Sequence, residues 1–366
     1  MIPEIFRDNF GKIKFVSSYE RRVIHKIINC RTEFMGSRLQ RCDHCHVEKI
    51  LHNSCGNRNC MICQSERAVK WVNARVEELL PVSYFHLVFT VPKELRLIFL
   101  YNKTLMYNIL FKCQSKTLLK VLKNKFGTPG FLSVLHTWNQ KLDFHPHVHT
   151  VMAGGGLSSD KTKWISSRKN YLIPKQILSE VFRGMMLFYL NKVFKKGMIR
   201  FPAKLKYMET EKSFISICNG ISKKYWNVYA KKPFGGPQKV LKYLSRYTHK
   251  VGISNKRIVS YDGKSVVFKY RDRSDGNTEK IMSLPKDLFI QKFMMHILPR
   301  KFVKIRFYGF LSNKYKKENI ELIKNIIGMS AVNLFLDLDS ISISDYMLCP
   351  FCRKGYFVNV KSIDSS

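Results

Sequence analysis

The chain has 366 residues, with 64 Lys+Arg against 26 Asp+Glu and a formal net charge of +38. That length exceeds what one hydrophobic core usually organises, so two or three domains are expected, and 45% hydrophobic with 13% aromatic residues exclude disorder as a global description. So large a cationic excess repels itself unless a polyanion is the normal partner, and its interleaving with Tyr, Phe and Trp favours nucleic acid over a membrane surface.

In chain order, a helical pattern over Arg22–Ile28 leads through a cysteine-rich stretch into a second helix around Ser65–Leu80, closed by Pro81. The run Tyr84–Val91 has the aromatic and β-branched composition of a strand buried on both faces. A helix follows over roughly Leu95–Lys125, and Gly127-Thr128-Pro129-Gly130 breaks it. Phe131–Trp138 and His145–Ala153 read as an antiparallel strand pair, the second ended by Gly154-Gly155-Gly156. Lys175–Lys196 reads as a helix, and Pro233–Pro237 punctuates the chain before another at about Gln238–Lys250. Ile258–Tyr261 and Ser265–Tyr270 straddle Asp262-Gly263, a hairpin signal. A helix over Pro285–Ile297, a strand over Phe302–Phe310 and a Cys349-x-x-Cys352 pair complete the chain.

No stretch approaches the ~18 unbroken apolar residues of a membrane helix, and Met1–Phe10 has no apolar core behind a basic start, so a non-exported, cytoplasmic protein is expected. Six of ten cysteines fall within residues 30–63, in the short spacings of metal ligands in a reducing compartment. Cys42-x-x-Cys45 and Cys60-x-x-Cys63, 14 residues apart, fit one tetrahedral structural Zn²⁺. A second zinc would draw on His25, Cys30 and Cys55, and Cys349/Cys352 is half of a ribbon with no visible second half. Arg58 belongs to a group of basic residues around these cysteines that suits DNA binding.

On a strand, residues i and i+2 share a face, so His147 and His149 aim two imidazoles at one point. Gln140, in the link between the paired strands, is the first choice for a third metal ligand; His136, His86 and His145 are rivals, and Asp143 could support them. Such an open site suits Mg²⁺ or Mn²⁺ bound with a substrate phosphate, and no acidic cluster offers a carboxylate-rich alternative. Tyr243 and Tyr247, at i and i+4 of the helix after Pro237, could supply a phenolic nucleophile, with Lys242, Arg246 and Lys250 near enough to hold phosphates. On periodicity alone Tyr247 falls in an apolar stripe with Val240, Leu244 and Val251 and reads as core, whereas Tyr243 lies at its edge.

Three segments now carry a resemblance. The Asn53–Gln64 run, the Phe144–His149 strand with its following glycines, and Tyr225–Asn255 with Lys-Pro-Phe-Gly-Gly-Pro and Tyr-Leu-Ser-Arg-Tyr-Thr-His-Lys together resemble the IS91-type transposases, within the His-hydrophobe-His (HUH) single-strand endonucleases. The likeness spans about Cys30–Leu311. It implies a bacterial, nucleoid-associated transposase that nicks one strand through a 5′-phosphotyrosine, frees a 3′-hydroxyl and moves single-stranded DNA in a rolling-circle manner. His147 and His149 would be the metal pair, and Tyr243 and Tyr247 the two nucleophiles. Gly56 and Met61 depart from the Arg and Pro that relatives often carry, which touches local DNA contacts and leaves the ligands intact.

The expected architecture is α/β (α+β): an HUH-like antiparallel sheet covered by helices over residues 81–255, after a zinc-binding domain over 1–80 and before a basic C-terminal region over 256–366. Single-stranded or hairpin DNA at transposon ends would be held by basic grooves with stacking from Trp226, Tyr229 and Phe234. Two other readings stand beside it: a plasmid or phage replication initiator of the same chemistry, and a non-catalytic zinc-dependent DNA-binding protein.

Overall fold

Ser17 precedes an apolar-periodic run, and its Oγ accepts from the Glu20 N–H at 3.2 Å while Glu20 Oε2 accepts from the Val16 N–H at 3.0 Å. This reciprocal cap starts a helix. In the computed structural model, which describes residues 1–168, 172–231, 239–240, 243, 248–328 and 348–364, that helix is α2 (Ser18–Ile28), following α1 (Ile2–Asn9). The described residues form two compact units, each discontinuous in sequence.

The first unit comprises Met1–Arg67, His249–Met294 and the described part of Ala331–Ser366. In it β1 (Ser37–Cys42) pairs antiparallel with β2 (Glu48–His52) on one side and with β12 (Phe357–Ile363) on the other. A second sheet orders β10 (Thr278–Pro285), β9 (Ser265–Asp272) and β8 (Ile258–Tyr261). The expected Asp-Gly hairpin is there: Asp262 Oδ1 accepts from the N–H of Lys264 and Ser265 at 2.8 and 2.6 Å, and Gly263 takes φ +82°, where a side chain would be strained. The third strand, Thr278–Pro285, was not legible, because its alternation mixes charged and apolar residues on an open edge. Helix α8 (Lys286–Met295) packs Phe293 edge-on to Phe6 of α1, ring centroids 4.9 Å apart.

The second unit comprises the described parts of Ala68–Thr248 and Met295–Ser330. Its sheet runs β11 (Ile305–Gly309), β4 (Thr128–Trp138), β5 (Phe144–Leu157), β3 (Tyr84–Thr90), β7 (Val228–Lys231), with β6 (Trp164–Ser166) on the far end of β5, and every pairing is antiparallel. Both units are thus discontinuous, whereas the expected division at residues 80 and 255 is consecutive. The C-terminal hairpin and its Cys-x-x-Cys segment join the first unit, while Ile305–Gly309 forms an edge of the second unit's sheet.

Period-two alternation divides the faces of this sheet. Phe85, Leu87 and Phe89 of β3, Phe131 and Leu135 of β4, and Val148 and Met152 of β5 share one core with α4 (Arg96–Tyr101), α5 (Lys103–Phe126), α6 (Lys175–Lys195) and α7 (Glu211–Ser222). On that side Ser133 Oγ donates to Gln114 Oε1 at 3.1 Å and lies 3.1 Å from Thr150 Oγ1, which satisfies polar atoms under the helices. Tyr84, Leu132, Val134, Val151 and Ala153 face the other way, into a second core with Ile320 and Ile323 of α9 (Lys316–Ile326).

Two expected features differ in physical detail. The helix read over Leu95–Lys125 breaks at Asn102, whose side chain donates to Ile98 O at 3.1 Å and Arg200 O at 3.0 Å and accepts from the Arg200 N–H at 2.8 Å. The triple glycine does not end its strand. β5 continues to Leu157, and a Cβ on Gly156 would lie 2.3 Å from the Phe126 carbonyl oxygen, so glycine lets the end of α5 approach.

Trp226, expected to stack on bases, is instead 1% exposed, with Nε1 donating to Ile221 O at 2.9 Å. Its ring fills the core against Phe182. Trp226→Ala should therefore lower the stability of this unit by about 3–5 kcal/mol in urea unfolding, and a loss under about 1 kcal/mol would contradict the core assignment.

Candidate active site and cysteine clusters

The face of the sheet opposite α4–α6 carries the histidines. In β5, His147 and His149 point to this side, and β4 places His136 directly across from His147 in the antiparallel register. Ring nitrogens of His136, His147 and His149 lie within 4.8 Å of one another, and among the described residues this is the cluster of three histidines suited to a cation. His136 and His149 are buried at 3% and 7% exposure, whereas His147 is half-buried and gives the cluster an open side.

Hydrogen bonds orient these rings. His147 Nδ1 lies 2.6 Å from the His145 carbonyl oxygen, which can only accept, so Nδ1 carries the proton and Nε2 keeps its lone pair. That Nε2 sits 3.0 Å from His149 Nε2. Two bare imidazole nitrogens facing each other at that distance need a shared proton or a cation between them. With a cation between them, His149 Nδ1 would carry the ring's proton toward Tyr243 Oη, 3.0 Å away; with His149 Nε2–H donating to His147 instead, Nδ1 accepts from the phenol. The same phenol contacts His86 Nε2, and His86 Nε2 lies 2.9 Å from His149 Nδ1. His86 comes from β3, one diagonal step from His149, and is 7% exposed. Tyr243 is half-buried and packs against the α9-side core, its ring centroid 4.5 Å from that of His86.

The other expected residues divide as follows. Gln140 lies in the turn between β4 and β5. In that turn Asn139 Oδ1 accepts from the N–H of Lys141 and Asp143, each at 2.9 Å, and Asn139 Nδ2 donates to Asp143 Oδ2 at 2.9 Å, so Asp143 helps shape the link. His145 accepts from Arg96 Nη2 at 2.7 Å. Tyr229 is 50% exposed and edge-on to His86 at 6.4 Å. Lys250 is exposed and Arg58 half-buried, both in the first unit. Tyr247, Lys242, Arg246 and Phe234 lie outside the described residues, as does most of the helix expected at 238–250. His86 as a partner of the phenol was not singled out, because its role depends on β3 pairing with β5 in one register.

The cysteines require a correction. Cys42, Cys45, Cys60 and Cys63 do not gather around one ion; they separate into two buried or half-buried tetrads. Cys60 and Cys63 open α3 (Met61–Asn73) and meet Cys30 and Cys55, with Cys63 Sγ 3.6 Å from both Cys30 Sγ and Cys55 Sγ. Cys42 and Cys45 close the β1–β2 turn and meet Cys349 and Cys352. Spacing alone joined the two nearest pairs; strand pairing of β12 with β1 decides otherwise. Each set fits the donor chemistry of a structural zinc site, four thiol sulfurs and no open position. Burial pushes the Cys30 thiol up to about 12 when no ion is present, so binding there must displace its proton.

Comparison with known proteins agrees with this chemistry. Residues 130–319 match the family described as "Putative transposase" (Y2_Tnp), and residues 3–91 match the "Transposase zinc-binding domain". The chain is 36% identical over 361 residues to "Putative transposase y4qJ" of Sinorhizobium fredii, covering 95% of this chain and 91% of that one. It is 28% identical over 299 residues to "Transposase for insertion sequence element IS801" of Pseudomonas savastanoi pv. phaseolicola, covering 81% of this chain and 71% of that one. No solved structure matches. No helix among the described residues is long and apolar enough to cross a membrane. With its histidine-bearing antiparallel sheet and its cysteine-rich N-terminal segment, the chain belongs to the IS91-type (Y2) transposases of the HUH superfamily.

Proposed function

We propose that this transposase cuts and rejoins single-stranded DNA with Tyr243 as a nucleophile, on a divalent cation held by His136, His147 and His149. The observation that carries the reading is Tyr243 Oη at 3.0 Å from His149 Nδ1, on the ring whose Nε2 faces His147. Bound there, Mg²⁺ or Mn²⁺ supplies a Lewis acid for a phosphate oxygen. The residues suit such an ion: the His145 carbonyl holds His147 in the tautomer that leaves Nε2 free, and His136 completes three neutral donors. In this reading His136, and not Gln140, is the third ligand.

His149 Nδ1–H donates to Tyr243 Oη, and Tyr243 O–H donates to His86 Nε2. As the phenolic oxygen attacks phosphorus, its proton passes to His86 and the His149 N–H supports the developing phenolate. The P–O3′ bond breaks, leaving a 5′-phosphotyrosine and a 3′-oxygen that takes up one proton to become the hydroxyl. The phosphodiester energy stays in the phosphotyrosine, so a second transfer rejoins the strand without a nucleotide cofactor. Family resemblance assigns that second transfer to Tyr247, and the basic residues Arg58, Lys242, Arg246 and Lys250 to contacts with the DNA backbone. The reading places the protein in the bacterial cytoplasm, at the nucleoid.

The test uses labelled single-stranded DNA from an element end with Mg²⁺, followed by denaturing electrophoresis. The wild type should form a covalent protein–DNA adduct and the Tyr243→Phe/Tyr247→Phe double variant none; an adduct on the double variant, or none on the wild type, contradicts the assignment. His86→Gln should slow adduct formation about 10²- to 10⁴-fold. A wild-type rate in that variant would remove His86 from proton transfer.

A further inference from the structure

One tetrad, Cys30, Cys55, Cys60 and Cys63, lies within the stretch that matches the zinc-binding family. The other lies there only in half: Cys42 and Cys45 fall within that stretch, Cys349 and Cys352 lie beyond both matched stretches, and 304 residues separate Cys45 from Cys349.

The two halves of this second tetrad are built alike. In the first, the Cys42 N–H donates to Val47 O at 3.0 Å and the His46 N–H to Cys42 O at 3.1 Å, with His46 at φ +58°. In the second, the Cys349 N–H donates to Gly355 O at 2.7 Å and the Arg353 N–H to Cys349 O at 2.8 Å, with Arg353 at φ +53°. Each Cys-x-x-Cys thus turns through a left-handed residue one place after its second cysteine, which aims both sulfurs to one side. Backbone donors converge on the sulfurs: the His44 and Cys45 N–H on Cys42 Sγ at 3.4 and 3.5 Å, and the Gly355 N–H on Cys352 Sγ at 3.4 Å.

The halves also fit each other. Cys42 Sγ lies 3.7 Å from Cys352 Sγ, and Cys45 Sγ 3.7 Å from Cys349 Sγ. A tetrahedron with Zn–S of ~2.3 Å has an edge of ~3.8 Å. These separations are far beyond the ~2.05 Å of a disulfide. A Cβ on Gly355 would stand 2.7 Å from Cys42 Sγ, so glycine leaves room for the sulfurs to meet. Across the join, the Asp43 N–H donates to Tyr356 O at 3.0 Å and the Tyr356 N–H to Asp43 Oδ1 at 2.7 Å, continuing the β1–β12 ladder into the site.

We propose that Cys42, Cys45, Cys349 and Cys352 bind a second structural zinc ion, which clasps the C-terminal segment to the N-terminal module. Binding exchanges thiol protons for Zn²⁺ and involves no redox step. The clasp closes a loop that contains the whole histidine-bearing sheet, and it stands apart from the strand-transfer reading.

The full-length protein, purified without chelator, tests this by native mass spectrometry and elemental analysis. The wild type should carry two zinc ions per chain, and Cys349→Ser/Cys352→Ser and Cys60→Ser/Cys63→Ser one each. One zinc in the wild type, iron in place of zinc, or two zincs in Cys349→Ser/Cys352→Ser would overturn the proposal. Because a variant can fail to fold, alkylation of the unaltered protein gives a second readout. N-ethylmaleimide should spare Cys42, Cys45, Cys349 and Cys352 together in the zinc-loaded chain and label all four after chelation. Labelling of Cys349 and Cys352 at the same rate before and after chelation would equally overturn it.

Discussion

The antiparallel register of β4 against β5 is the constraint on which the second unit's chemistry depends. It sets His136 opposite His147, and the two-residue period of β5 sets His149 on the same face. A slip of one residue would turn over whichever strand moved, either His136 of β4 or His147 and His149 of β5, and so separate the three rings onto opposite faces. The register is fixed from both faces. Phe131, Leu135, Val148 and Met152 can be buried under the helices only in this alignment, and Leu132, Val134 and Val151 only against α9. The site is thus a by-product of where the apolar side chains must go, and its histidines replace core residues at the end of a buried face.

The first unit follows a different logic. Its sheets have three strands each, and several of its strand positions are exposed, so apolar burial alone gives little cohesion. Cysteine tetrads compensate, as small domains commonly require. One tetrad ties the end of α2 to the start of α3; the other draws the C-terminal strand β12 onto β1. Segments distant in sequence therefore belong to one unit, and this separates the folded organisation from any consecutive division of the chain.

The strands of the histidine-bearing sheet were legible because each carries its own pattern: Tyr84–Thr90 in its aromatic and β-branched composition, and His147-Val148-His149 in its alternation. The hairpin at Asp262-Gly263 was legible for the same local reason. Partners across the fold are less legible. Cross-strand register sets His136 beside the His147/His149 pair, a neighbour that position along the chain does not single out, while Gln140 lies in the link between the strands. Cys60 and Cys63 were joined to Cys42 and Cys45 by proximity in sequence, while their neighbours are Cys30 and Cys55. A count could have helped: three Cys-x-x-Cys pairs plus Cys30 and Cys55 make eight cysteines, two full tetrads, with Cys113 and Cys218 buried elsewhere. Trp226 misled in the opposite sense, since an aromatic residue among lysines reads as a stacking platform and is in fact core.

Strand register alone brings three imidazole donors to one point, and Tyr243 stands beside them. An anomalous-scattering map from crystals of the full-length protein grown with Mn²⁺ puts this to the test. One manganese peak is expected on the β4–β5 face, ligated by His136, His147 and His149, with Tyr243 Oη on the His149 side. A peak held by Gln140 with His136 outside its coordination sphere, or no peak at these histidines, would contradict it.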